Sequence, residues 1–149
     1  MLYRFDGADY EFEQQFLPGE WQVNEYPHGL LSDFASSLAL SADGNTVAIG
    51  DRKDNGVGTG ILQPPVASGT DPVGAVHVYQ RRDRAWTQRS LIKPNNSLLT
   101  SSLFGHAVEL ARNGGVLAVG HIGESSNATG IDGDQGNVSL PNSGAVWLY

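Results

Sequence analysis

The sequence predicts an all-β protein built from a repeated unit of antiparallel strands. Residues 34–79 and 104–149 align without a gap at an offset of 70 residues, with 12 identities in 46 positions. Residue frequencies alone would give about 3 or 4 identities, so this is an internal repeat. The 19 glycines separate short apolar runs, which is typical of a chain with many turns. No segment shows sustained helical periodicity.

The N-terminal 33 residues predict a hairpin followed by an irregular segment. Residues 2–5 and 10–17 are predicted strands around Asp6-Gly7, because aspartate followed by glycine supplies the positive φ of a tight turn. Residues 19–33 are predicted to be irregular. Within them, Trp21 is interpreted as a packing anchor or as the start of a short extra strand.

Each repeat predicts one antiparallel unit, whose strands we label A to D. The predicted strands of the first unit are A at 34–41, B at 46–50, C at 74–79 and D at 86–92, with a B–C loop at 51–73 and a polar turn at 80–85. The second unit repeats A at 104–110, B at 116–120 and C at 144–149, with a B–C loop at 121–143. The predicted organisation is an N-terminal hairpin with linker (1–33), a first unit (34–103) and an incomplete second unit (104–149).

The order of the repeated motifs is similar to that of a known family. The motifs of the second unit are Phe104-Gly105, Leu117-Ala118-Val119-Gly120, Ala128-Thr129-Gly130-Ile131 and Ser143-Gly144-Ala145-Val146. Repeated in this order, they resemble the FG-GAP repeats of integrin-like β-propellers. The resemblance covers residues 34–149 well and 2–18 weakly, where the hairpin is similar to strands C and D of a preceding blade. It implies antiparallel four-stranded blades arranged radially.

The number of predicted strands is small for a propeller. Such folds have about four to eight blades, and this sequence supplies strands for about two. We therefore expect either a fragment of a longer propeller, which we favour because the chain ends on a strand, or a subunit that completes a closed ring by association. Gly50 and Gly120, at the ends of the B strands, are expected to permit close backbone approach or loop entry.

Composition excludes several classes of protein. The net charge of −7 argues against nucleic-acid binding, which needs a basic surface. The absence of cysteine excludes disulfides, thiolate catalysis and cysteine-based zinc sites. No apolar run approaches the ~20 residues of a membrane span, and the first residues lack the basic and apolar regions of a signal peptide.

The candidate metal site lies in the second B–C loop. Asp132, Asp134 and Asn137 offer oxygen ligands in a glycine-rich segment, a pattern that suits Ca²⁺. The remaining ligands of an EF-hand are absent, so a solvated turn is the alternative interpretation. Glu124 and Asn127 lie upstream in the same loop. The first B–C loop is a weaker candidate, with Asp51, Asp54, Asn55 and Asp71.

Other metal sites have less support in the sequence. The resemblance implies calcium in the A–B loops of some family members, but here those loops are too short and too poor in carboxylates. The four histidines lack metal-binding spacing, and His77 and His106 are interpreted as ordinary strand residues. A site of two histidines and an aspartate would have to be assembled by tertiary folding. No cofactor other than calcium is predicted.

The resemblance implies a non-enzymatic, extracellular or cell-surface segment used for adhesion or recognition. Its long B–C loops would contact a protein or carbohydrate ligand. The first alternative is a structural subunit whose edge strands, at 2–5 and 144–149, pair into a ring or filament. The second is an enzyme with a site in the propeller channel, although the sequence contains no catalytic motif. Trp86 and Trp147 are predicted to pack in the core or between blades rather than to stack on sugars.

Overall fold

The computed structural model describes residues 1–16, 33–63, 69, 72–96 and 103–149, which form antiparallel β-sheets. The all-β prediction is therefore confirmed. The described residues contain no helix long and apolar enough to cross a membrane. The predicted roles of Trp21 and Asp71 concern positions that lie outside the described residues.

Within the described residues, ten strands make up three sheets. They are β1 Leu2–Phe5, β2 Tyr10–Gln14, β3 Phe34–Leu40, β4 Thr46–Asp51, β5 Gly60–Leu62, β6 Ala75–Arg82, β7 Ala85–Lys93, β8 Phe104–Leu110, β9 Leu117–His121 and β10 Ala145–Leu148. The spatial orders are β1-β2, β3-β4-β6-β7-β5 and β8-β9-β10. In the first unit, strands A to D thus lie side by side in chain order. The second unit repeats strands A to C in the same way.

Two predictions about the first unit are wrong. The B–C loop at 51–73 contains strand β5, which pairs antiparallel with the outermost strand, β7. The polar turn predicted at 80–85 is shorter, because β6 continues through Arg82 and β7 begins at Ala85. Asp83 and Arg84 alone make the turn, and both have positive φ, as a tight two-residue hairpin requires. A continuous polar run, Gln80, Arg81 and Arg82, concealed the continuation of β6.

The first and second units pack face to face through one apolar core. Its buried members are Ala39, Ala48, Val76 and Ile92 from the first unit, and Phe104, Val108, Leu110, Leu117, Val119 and Trp147 from the second. A smaller core on the other face of the first sheet contains Phe16, Val47, Ile49, Tyr79 and Trp86. Trp86 and Trp147 are buried in these cores, which confirms their predicted packing role.

The N-terminal hairpin contacts the first sheet mainly through the end of its second strand and the residues that follow it. Phe16 lies edge-on to Trp86, with ring centroids 5.5 Å apart. The Gln14 side-chain amide donates to the Trp86 carbonyl and accepts from the Trp86 N–H, both at 3.2 Å. Its two strands pair with each other, and their assignment to strands C and D of a preceding blade stays a prediction.

The backbones of the two units meet at the start of β8. The Phe104 N–H donates to the Val73 carbonyl at 3.1 Å, and the Ser37 hydroxyl donates to the Gly105 carbonyl at 2.8 Å. Gly105 has a φ of 84°, which glycine adopts without steric cost. A Cβ on Gly50 would overlap Ser37 Oγ and the Gly105 carbonyl oxygen, so the close approach predicted for Gly50 is confirmed.

Gly50→Ala is expected to lower the free energy of unfolding by about 2–3 kcal/mol, because the added methyl forces the two units apart. The measurement is urea unfolding followed by tryptophan fluorescence. Gly120→Ala is the matched control, since Gly120 occupies the same repeat position and its added Cβ would meet nothing closer than Ala107 Cβ at 3.4 Å. Equal destabilisation by both variants would contradict this account of Gly50.

Candidate functional site

The predicted calcium ligands lie in an exposed part of the second B–C loop. Asp132, Asp134 and Asn137 are all exposed. Asp134 Oδ1 accepts a hydrogen bond from the Gly136 N–H at 2.9 Å. Asp134 and Asn137 line an open depression of about 650 Å³, whereas Asp132 is not among its lining residues. The calcium site remains a prediction.

Glu124 belongs to a different environment from the loop ligands that follow it. It is 2% exposed. Its Oε1 accepts hydrogen bonds from the Asn96 side-chain amide at 2.9 Å and from the Ser126 N–H at 3.0 Å. Its Oε2 accepts from the Ser126 hydroxyl at 3.0 Å. Burial opposes ionisation of Glu124, but these hydrogen bonds outweigh it and lower the pKa. Glu124 thus anchors the base of the loop to the first unit.

The first unit has a buried ionic cluster at the corresponding turn, after β4. Lys93 Nζ lies 2.8 Å from Asp54 Oδ1, and His77 Nε2 lies 3.4 Å from Asp54 Oδ2. Asp51, His77 and Lys93 are each at most 2% exposed. Burial again opposes ionisation of Asp54, but the contacts with His77 and Lys93 hold its pKa well below the ordinary value.

The cluster is assembled from three strands and a turn. Asp51 ends β4, His77 lies near the start of β6, and Lys93 ends β7, so antiparallel pairing brings all three to one end of the sheet. Asp54 follows in the turn after β4, where its Oδ1 also accepts from the Gly56 N–H at 2.8 Å. The sequence alone favours the second loop over Asp51 and Asp54 as a metal site and indicates an ordinary strand residue at His77. His106, by contrast, is exposed.

The two units use the same turn with different side chains. The 70-residue offset aligns Asp54 with Glu124, Asp51 with His121, and His77 with Trp147. In the second unit the Trp147 indole N–H donates to His121 Nδ1 at 3.3 Å. The repeat therefore retains an acidic residue at the turn, while the surrounding chemistry differs. The alignment of Asp54 with Glu124 is the feature of the sequence that marks the position of the cluster.

His121 is a buried, neutral base. It is fully buried, and the Phe104 ring stands edge-on to it with centroids 5.4 Å apart. Burial lowers its pKa to about 4, although the Glu124 carboxylate acts in the opposite direction. Protonation of Nδ1 would also break the hydrogen bond from Trp147, because that nitrogen would no longer accept.

The stability of the fold is expected to fall as the pH drops from about 6.5 to 4. Over this range His121 takes up a proton in the unfolded chain but not in the folded chain. The free energy of unfolding is therefore expected to fall by about 1–3 kcal/mol. Below pH 4 both states are protonated and this contribution levels off. Urea unfolding at successive pH values measures the effect.

His121→Gln is expected to reduce that pH dependence, and His106→Gln is the matched control because His106 is exposed. A pH profile unchanged by His121→Gln, or flattened equally by His106→Gln, would show that His121 is not the responsible group.

Comparison with known proteins returned no relative of this chain. No family model, curated protein or solved structure matches it. The similarity to FG-GAP repeats therefore remains a resemblance carried by the motifs of this sequence, and the function proposed below is argued from the repeat and from the geometry of the loops.

Proposed function

We propose that this chain is a non-enzymatic recognition segment of an extracellular or cell-surface β-propeller of the FG-GAP type. In this proposal the first and second units are neighbouring blades, and the N-terminal hairpin belongs to a preceding blade. The ligand is a protein or carbohydrate that contacts the loop at 121–143. The sheets of the first and second units share one apolar core and have strands in the order of a blade meander, which supports the architecture.

The ends of the two B–C loops are held in the same way. The Asp54 N–H donates to the Asp51 carbonyl at 3.3 Å, and the Glu124 N–H donates to the His121 carbonyl at 3.4 Å. Each loop returns to its sheet through a 3.0 Å hydrogen bond, from Gly74 to the Asp54 carbonyl and from Gly144 to the Glu124 carbonyl. A loop fixed at its base presents its remaining residues at a defined place.

The second loop exposes apolar side chains beside acidic ones. Ile131 is 94% exposed and Leu140 is 53% exposed, with Val138 also exposed. Asp132 and Asp134 lie next to them in the chain and are exposed as well. An apolar side chain that stands in water gains free energy when a ligand covers it. The observation that carries the proposal is this exposed apolar and acidic surface on a loop whose base is fixed.

The double substitution Ile131→Ser and Leu140→Ser is expected to weaken ligand binding by about tenfold or more, because it removes the apolar contact area. The measurement is binding of the labelled chain to an array of polysaccharides and matrix proteins, followed by titration of each positive. Val57→Ser is the matched control, since Val57 is 49% exposed on the first loop. Binding unchanged by the double substitution, or lost equally in the control, would refute the proposed surface.

Self-association is the second candidate function, favoured by exposed apolar side chains on β3 and β10. Val146 and Leu148 on β10 are 73% and 72% exposed, and Leu38 and Leu40 on β3 are 64% and 52% exposed. Among the described residues, β10 pairs only with β9, which leaves its other edge for a further strand.

Light scattering is expected to report a discrete oligomer of the wild-type chain, and Leu148→Glu is expected to convert it to monomer because a buried carboxylate is costly. Val57→Glu, on an exposed loop, serves as the control. A well-folded wild-type monomer would exclude self-association while leaving the recognition surface to its own test.

A further inference from the structure

We propose that Asp51, Asp54 and His77 form a binding site for one divalent transition-metal ion of the Zn²⁺ type. Each side chain offers one ligand atom, and these atoms lie within 4.8 Å of one another. A metal ion with bonds of about 2.0–2.2 Å would have to draw the more distant of these atoms together by about 1 Å. The site is separate from the predicted calcium loop and does not depend on the proposed recognition function.

The His77 ring supplies an observation that points to a ligand. Its side chain is 3% exposed, and Nε2 faces Asp54 Oδ2 at 3.4 Å. Nε2 has no hydrogen-bond partner of good geometry among the described residues. The long contact with Asp54 leaves this buried nitrogen poorly satisfied, which costs free energy. A metal ion between the imidazole and the carboxylates would satisfy this nitrogen.

The Gln88 side chain lies where it could orient the His77 ring. His77 Nδ1 lies 3.0 Å from the side-chain nitrogen of Gln88. A histidine that binds metal through Nε2 carries its proton on Nδ1 and donates it to a neighbouring oxygen. Rotation of the Gln88 amide by half a turn places its oxygen at that position, and such a rotation hardly changes the shape of the side chain. Gln88 would then fix the ring orientation.

The net charge of the site favours binding of a cation. Two carboxylates and the Lys93 ammonium give a net charge of −1 in a buried site when His77 is neutral. Lys93 contacts Asp54 Oδ1 at 2.8 Å, whereas Oδ2 faces His77. The ammonium and a metal ion can therefore share the two oxygens of Asp54. Lys93 lowers the affinity for the metal because its ammonium contacts Asp54.

The ligand set selects the class of ion. One imidazole and two carboxylates, completed by a water molecule, suit tetrahedral Zn²⁺. Ca²⁺ requires about six to eight oxygen ligands and is disfavoured. The second unit has His121 and Trp147 where the first has Asp51 and His77, and Trp147 donates to His121 Nδ1. We therefore expect one ion per chain.

The test is calorimetric titration of the whole chain with Zn²⁺, and with Ca²⁺ in a parallel experiment. The expected result is saturable binding of one Zn²⁺ ion, with Asp51→Asn and His77→Gln each weakening it by at least about tenfold. The controls are Asp43→Asn and His106→Gln, which change an exposed aspartate and an exposed histidine and leave the affinity unchanged.

A crystal of the wild-type chain soaked in Zn²⁺ tests the position of the ion without any variant. The anomalous peak is expected between Asp51, Asp54 and His77. An anomalous peak only at Asp132 and Asp134 would overturn the proposal. Calorimetry would also overturn it if no saturable Zn²⁺ binding occurred below about 1 mM, a dissociation constant that corresponds to only about 4 kcal/mol. Unchanged Zn²⁺ affinity in folded Asp51→Asn and His77→Gln variants would also overturn the proposal.

Discussion

The close backbone contact between the two units is the constraint on which the rest of the structure depends. The end of β4 and the start of β6 approach the start of β8 so closely that Gly50 and Gly105 have no room for a side chain. The Phe104 N–H and the Gly105 carbonyl are hydrogen-bonded to the first unit at this point. Because the contact fixes the distance between the sheets, it also fixes which apolar side chains form the shared core.

The same contact determines where the loops stand. Since both units follow one plan, the turns after β4 and β9 lie at corresponding places and each buries an acidic side chain, Asp54 or Glu124. Asp54 is paired with a lysine of its own unit, whereas Glu124 accepts from Asn96, which follows β7 of the preceding unit. A carboxylate in such a position is stable only with partners, so both turns are rigid anchors. The exposed residues of the second loop are presented from this base.

Much of the fold followed from local pattern. Alternating apolar residues and turn glycines located nine of the ten strands, since strand period and turn chemistry are properties of adjacent residues. Strand β5 was missed because three residues, Gly60–Leu62, are too few to show a period. The end of β6 was missed because its last residues are polar and partly exposed. Such residues have the composition of a turn even when they pair within a hairpin.

The sequence by itself determined the strand repeat, the antiparallel units and the packing role of Trp86 and Trp147, because each depends on the spacing and type of neighbouring residues. Only the tertiary structure decided that Asp51, Asp54, His77 and Lys93 meet. These residues are separated by strands and a loop, and their approach depends on the register of β4, β6 and β7. Register is a property of the paired strands together, and no single segment of the chain contains it.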